Sequence, residues 1–187
     1  MRAKRPSMAA CYGPEGRIAF VRRTPTRKDK GGLRIFVREP GGGTPRALTP
    51  GPTDHRPAWS PDGSSLVYQA LDASGNLVVM AIDAAGGEPR LLGRGLAPVF
   101  TPDGEWIIYS APTRAGNKLS KMHRDGSGKR ALGRSPHEEH DPAVSPDGGF
   151  VAFVSLQGNR HRLVVRSIDG SGDRPLIIDG EGLTPIW

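Results

Sequence analysis

One four-residue phrase returns along this chain and limits its folding more than any other feature. Ser60, Pro61, Asp62, Gly63 precede the apolar run Leu66, Val67, Tyr68; Thr101, Pro102, Asp103, Gly104 precede Ile107, Ile108, Tyr109; Ser145, Pro146, Asp147, Gly148 precede Val151, Ala152, Phe153. A weaker copy, Gly13, Pro14, Glu15, Gly16, precedes Ile18, Ala19, Phe20, with Glu for Asp and one residue fewer in the loop. The chemistry is that of a type I turn. Ser or Thr at the first position accepts a local hydrogen bond, Pro presets φ at the second, Asp suits the third and Gly the fourth. Each copy should therefore reverse one strand into the next.

The central prolines stand at 14, 61, 102 and 146, at spacings of 47, 41 and 44 residues. A repeat of about 40–45 residues is the length of one four-stranded propeller blade, a unit that must stack on its neighbours to bury both faces. In the second repeat the expected strands are 57–60, 65–70, 77–82 and 90–92, with turns at Gly75 and Asn76 and at Gly86 and Gly87. The third repeat places its turns at Gly116 and Asn117, then Gly126 and Gly128; the fourth at Gly158 and Asn159, then Gly170 and Gly172. The first repeat predicts strands at 17–21, 33–38 and 46–49 around a long basic loop at 22–32. Tyr12, Trp59, Phe100 and Val144, each two residues before a central proline, should pack between blades. Pro185, Ile186 and Trp187 echo Pro57, Ala58 and Trp59. The expected division is a basic arm at 1–8 and a propeller at 9–187, with repeats at about 9–50, 51–93, 94–134 and 135–179 and the start of a fifth at 180–187.

The turn signature, the strand that follows it and the fixed period together resemble the TolB-type, WD-like β-propeller repeat, which also occurs in dipeptidyl-peptidase-type propellers. The resemblance covers nearly the whole chain. It implies an all-β fold of four four-stranded antiparallel blades, either incomplete or closed by the C-terminal strand, with an open array preferred because residues 10–12 already supply a first inner strand. The TolB type is periplasmic and carries a signal sequence, a separate N-terminal α/β domain and six blades. Neither of the first two is read in this sequence. Composition agrees with many turns joining short strands: 26 Gly and 18 Pro lie in clusters between apolar runs.

Charge is uneven, with residues 1–50 at +9 and the remainder at −2. Without interleaved aromatics, such a block reads as a solvated arm and loop rather than a stacking platform. Cys11 is the single cysteine, so no intramolecular disulfide framework exists. Arg2, Lys4 and Arg5 are not followed by an apolar stretch. The expectation is a cytoplasmic protein without membrane insertion, or a periplasmic one if a leader precedes the sequence.

The most suggestive polar cluster is His137, Glu138, Glu139, His140, Asp141, in the connection between the third and fourth repeats; Asp54 and His55 hold the corresponding place after the first. Imidazole and carboxylate suit zinc, but five consecutive polar residues fix no coordination geometry, so a solvated loop without metal is the reading. Gly126 to Lys129 lacks the earlier glycine of a phosphate loop and has Arg130 where Ser or Thr is required. Asp169, Ser171 and Asp173 lack a calcium loop's final Glu, with Gly180 in its place. No nucleophile elbow is present, no motif requires a cofactor, and Asp62, Asp103 and Asp147 read as turn residues. His123 and His161 read as structural or surface residues. The function expected is a non-catalytic scaffold that binds a protein or peptide through loops at one mouth of the ring. The contact set is Asp54, His55, Arg56, Arg94, His137, Glu138, His140 and Asp179. Alternatives are a propeller segment gating a larger hydrolase and, more weakly, nucleic-acid or anionic-surface binding through Arg22, Arg23, Arg27, Lys28 and Lys30. Two chains could also join into one larger ring.

Overall fold

The computed structural model describes residues 9–25, 31–172, 174–179 and 185. Within them the chain forms four antiparallel sheets of four strands, each built in sequence order. The first blade holds β1 (Ala10–Tyr12), β2 (Ile18–Thr24), β3 (Gly32–Arg38) and β4 (Arg46–Ala47); the second β5 (His55–Trp59), β6 (Ser65–Leu71), β7 (Leu77–Asp83) and β8 (Arg90–Arg94). The third holds β9 (Leu96–Phe100), β10 (Trp106–Thr113), β11 (Gly116–His123) and β12 (Arg130–Ala131); the fourth β13 (Glu138–Val144), β14 (Phe150–Gln157), β15 (Arg160–Ser167) and β16 (Arg174–Asp179).

The repeated phrase makes the same turn three times. Gly63, Gly104 and Gly148, at φ +65°, +72° and +72°, donate their N–H groups to the carbonyls of Ser60, Thr101 and Ser145 at 2.9 Å. Those hydroxyls are buried, and each bonds to the Asp two residues on, at 2.5–2.6 Å. Each also accepts the first amide of the next strand, Ser65, Trp106 or Phe150, at 3.0, 3.1 and 2.9 Å. The weaker copy has no hydroxyl at Gly13. It closes as a 3-10 turn at Pro14–Gly16, with Glu15 left-handed at φ +60°.

Three hydrophobic clusters fill the three junctions between consecutive blades. Ala19, Val21, Ile35 and Val37 meet Trp59, Leu66 and Tyr68; Val67 and Val79 meet Phe100, Ile107 and Tyr109; Ile108 and Leu119 meet Val151, Phe153 and Val164. Strand alternation sends one side chain forward and the next back, so the strands of the second and third blades serve two junctions: Leu66 and Tyr68 the first and Val67 the second, Ile107 and Tyr109 the second and Ile108 the third. The position of Trp59 and Phe100 faces the preceding blade, and Tyr12 corrects the expectation for that position. It is 81% exposed because it faces away from the second blade, and among the described residues no blade precedes β1.

Two boundaries also differ. The basic loop is shorter than expected, since β2 continues to Thr24 and β3 begins at Gly32, pairing Arg22 with Arg34 and Arg23 with Leu33. β8 reaches Arg94, whereas β4 and β12 stop after two residues. The Gly126 and Gly128 segment is the turn between β11 and β12, with His123 N–H donating to the Ser127 carbonyl at 2.9 Å. The basic arm at 1–8, the candidate fifth repeat apart from Pro185 and hence the closing strand with Trp187 lie outside the described residues. Among the described residues, no helix is long and apolar enough to cross a membrane.

Candidate functional site

Each blade runs its first strand from the incoming connection towards the repeated turn. All the incoming connections and the hairpins between second and third strands therefore lie at one end, the entrance face. Here the inner strands share an irregularity. Pro57, Pro98 and Pro142 have no N–H to give the ladder, and the register slips between His55 and Ala58, Leu96 and Val99, and His140 and Ala143. The residue before each proline, Arg56, Ala97 or Asp141, is left-handed at φ +49°, +51° and +51°. Side chains seldom tolerate that conformation, and its recurrence in one register is the mark of a site held by its surroundings.

Of these three residues Arg56 is exposed and Asp141 partly so, whereas Ala97 is buried at 4%. Arg56 of the second blade and Asp141 of the fourth form an ion pair, which they can do only by passing the third blade's β9, where the matching residue is the small Ala97. The pair is partly solvated, with side chains 45% and 23% exposed.

The remaining sequence candidates divide by depth. His55 is half-buried, and desolvation lowers its pKa, against an opposing pull from Asp54. Arg94 is exposed at the end of β8, and Glu138 Oε2 lies 3.2 Å from His140 Nε2. The His137 carbonyl accepts Lys118 Nζ. Asp179 ends β16 opposite Arg162. Asp54 lies beneath this surface: it is 4% exposed and accepts the Gly51 N–H at 2.7 Å. Burial raises its pKa despite bonds from Thr49 and Gly51. Of the basic set, Arg22 lies over the Phe36 ring at 5.2 Å and Arg23 Nη1 donates to the Gly31 carbonyl at 3.1 Å, both from strand β2. Arg27, Lys28 and Lys30 lie outside the described residues.

The polar cluster at 137–141 does not converge on one point, because alternation along β13 sends Glu139 inward. Its Oε1 meets Arg166 Nη2 at 2.5 Å and its Oε2 accepts the Leu119 N–H at 2.9 Å. Arg166 also bonds the Leu132 carbonyl and lies over Phe153 at 4.7 Å. This buried pair ties the fourth blade to the third, and sequence reading of the cluster as a loop missed it. The signal was available in the repeat, since Asp54 and Glu139 both stand three residues before the inner-strand proline.

Residues 3–187 match the family described as the TolB beta propeller domain (PD40). Over 129 residues the chain is 33% identical to an uncharacterized protein of Agrobacterium fabrum, covering 67% of this chain and 44% of that protein. The chain therefore spans less than half the length of this curated relative. It superposes on a candidate TolB from Agrobacterium tumefaciens with a TM-score of 0.82 and 25% identity, covering 94% of this chain and 67% of that one. For TolB from Acinetobacter baumannii the TM-score is 0.75 at 19% identity, over 90% and 43%. The likeness in fold extends to a candidate dipeptidyl aminopeptidase IV from Bacteroides ovatus, at 0.65 and 15%, over 88% and 32%.

Proposed function

The chain belongs to the TolB beta propeller domain family, and from that premise we propose that it is a non-catalytic scaffold that binds a protein or peptide partner at its entrance face. The observation that carries this reading is the repeated left-handed bulge that brings Arg56 and Asp141 together across β9. Loops on a rigid frame, with side chains converging from several blades, are a common form of recognition site. His55, Arg94, Glu138 and His140 lie in the entrance-face ends of β5, β8 and β13, and His137 in the connection before β13; Asp54 is buried just before β5.

The test is photo-crosslinking in the native organism. A crosslinker at Arg94 or His137 should capture a partner that one at Asp103 or Asp147, on the opposite end, does not. Capture only from the opposite end would sink the proposal. The competing reading, a segment gating a larger hydrolase, draws on the likeness in fold to the peptidase chain. Labelling of the full gene product by a fluorophosphonate would favour it. The expectation of a cytoplasmic location gains no support from the family match, and the periplasmic alternative is carried forward with this proposal. A larger ring built from two chains is a separate proposal about assembly, and sedimentation decides it.

A further inference from the structure

One sheet face of the first blade has no neighbour among the described residues, and two of its rungs differ from the matching faces that have one. Alternation along β1, β2 and β3 puts Tyr12, Ile18, Phe20, Arg22, Phe36 and Arg38 on this face, opposite to Ala19, Val21, Ile35 and Val37, which enter the first junction. In the linear sequence these arginines stand without interleaved aromatics. Strand pairing interleaves them, setting Phe20 opposite Phe36 and Ile18 opposite Arg38. The Phe20 and Phe36 rings stack at 6.0 Å, and the Arg22 guanidinium lies over Phe36 at 5.2 Å. Tyr12, diagonal to Phe20 on the adjacent strand, is 81% exposed.

The charges argue against a further blade as the occupant of this face. At the rung of Arg22 the enclosed faces of the second, third and fourth blades carry Ala70, Ala111 and Ser155. At the rung of Arg38 they carry Ile82, Met122 and Arg166, and that buried arginine goes in with the Glu139 carboxylate. The strands of the first blade contain no carboxylate. Glu15 and Glu39 lie in the turns past the strand ends, and among the described residues neither forms an ion pair with Arg22 or Arg38. Arg34 sits at the rim, against Gly51 and within the field of Asp54, so Arg22 and Arg38 are the cations of the face. An apolar sheet laid over them would bury both charges without a counter-charge, which is strongly unfavourable.

We propose that this face binds single-stranded nucleic acid, with bases stacked on Tyr12 and Phe20 and phosphates paired with Arg22 and Arg38. The contact with Phe36 holds the Arg22 guanidinium over the sheet and leaves its charge unneutralised. A phosphate chain brings the anions that an apolar blade lacks, and unpaired bases bring flat surfaces for the exposed tyrosine ring. Stacking and phosphate pairing select neither sequence nor sugar, so the ligand is the single strand as a class.

The probe is fluorescein-labelled oligo-dT of about 12 nucleotides, titrated into the full chain by anisotropy beside an abasic strand of equal length and the duplex with oligo-dA. Oligo-dT should bind at least about tenfold more tightly than either, the factor expected for one stacked base. Tyr12→Ala should weaken oligo-dT about tenfold and leave the abasic strand unchanged, a difference that misfolding cannot produce. Arg38→Gln should weaken both strands and reduce the salt slope of log K by about 0.7, the value for one phosphate on a single strand. Arg130→Gln, on β12 of the third blade, should change neither. No binding of oligo-dT, equal affinity for the abasic strand or the duplex, indifference to Tyr12→Ala or Arg38→Gln, an equal loss with Arg130→Gln, or self-association that Tyr12→Ala abolishes would each overturn the proposal.

Discussion

Removal of the Glu139 carboxylate should weaken the junction of the third blade with the fourth, which the cluster of Ile108, Leu119, Val151 and Phe153 still holds together. One carboxylate oxygen holds Arg166 at 2.5 Å, the other accepts the Leu119 N–H at 2.9 Å, and the paired side chains are 1% and 2% exposed. In Glu139→Ala the guanidinium keeps the Leu132 carbonyl and the Phe153 ring but loses the Glu139 carboxylate, and the Leu119 amide loses its acceptor. Breaking one side of a buried pair costs about 3–5 kcal/mol. The orphaned amide belongs within that range, because both losses share one side chain and do not add. A loss of about 4 kcal/mol lowers Tm by roughly 8–16 °C for a domain of this size.

Urea denaturation measures the loss, and hydrogen exchange at Leu119 locates it. A loss below about 1 kcal/mol, or unchanged protection of the Leu119 amide, would refute the assignment of this pair as the tie between blades. Glu139→Leu combined with Arg166→Met should recover only part of the stability, since an apolar pair carries no desolvation cost but still deprives the Leu119 N–H and the Leu132 carbonyl of these side-chain partners. The contrast is Asp141→Ala, which breaks an ion pair of the same residue types. Its partners are 45% and 23% exposed, so its cost to stability should stay within about 1 kcal/mol.

Three further outcomes follow from the turns and the first junction. The Arg124 and Ser60 bonds hold the Asp62 carboxyl well below the usual range, so its contribution is present above the unfolded value of about 3.9 and lost as pH falls through the folded value; Asp62→Asn should flatten that acid limb in urea midpoints taken from about pH 6 to pH 2. Burial pushes the Cys11 thiol up to about 12, so native protein at pH 8 should react with Ellman's reagent far more slowly than protein in urea; equal rates would contradict its packing against the first cluster. Gly13→Ala would set a Cβ 2.8 Å from the Trp59 indole, an overpacking that costs about 1–3 kcal/mol and should shift tryptophan emission.

The blades were legible because they rest on local chemistry repeated at a fixed period. Pro61, Pro102 and Pro146 set the count, and the buried hydroxyls of Ser60, Thr101 and Ser145 explain why Ser or Thr leads the phrase. Exposure was less legible, because it depends on which neighbour a face meets. Tyr12 and Trp59 occupy one position of the repeat, yet one is 81% exposed and the other 8%. In the candidate site the places of the polar residues in the repeat were legible, and their burial was not. Reading loops as solvated placed Asp54 beside Arg56 at the surface, whereas the bulge turns Arg56 out and leaves Asp54 at 4% exposure.

The buried acid has a cause within the repeat. Ile35, Val79 and Leu119 stand on matching rungs, opposite Val21, Gln69 and Ser110. β4 and β12 are too short to satisfy the amides of Ile35 and Leu119, so each needs another acceptor. At the third junction Glu139 accepts from Leu119 directly. At the first junction the Thr49 hydroxyl accepts from Ile35 at 3.0 Å and is itself bonded to Asp54. At the second junction β8 runs five residues, Val79 pairs with Gly93 in the ladder, and the acid's position becomes Gly95. A side chain there would collide: a Cβ on Gly95 would lie 2.5 Å from Tyr109 and 2.9 Å from the Ser110 carbonyl. The length of the outer strand therefore decides whether a blade needs an acid at this position, and the acid is structural where it occurs. Two positions further on, the left-handed residue has no such duty to the ladder, which leaves this position free to differ among blades as Arg56, Ala97 and Asp141, the freedom that the binding surface proposed above would require.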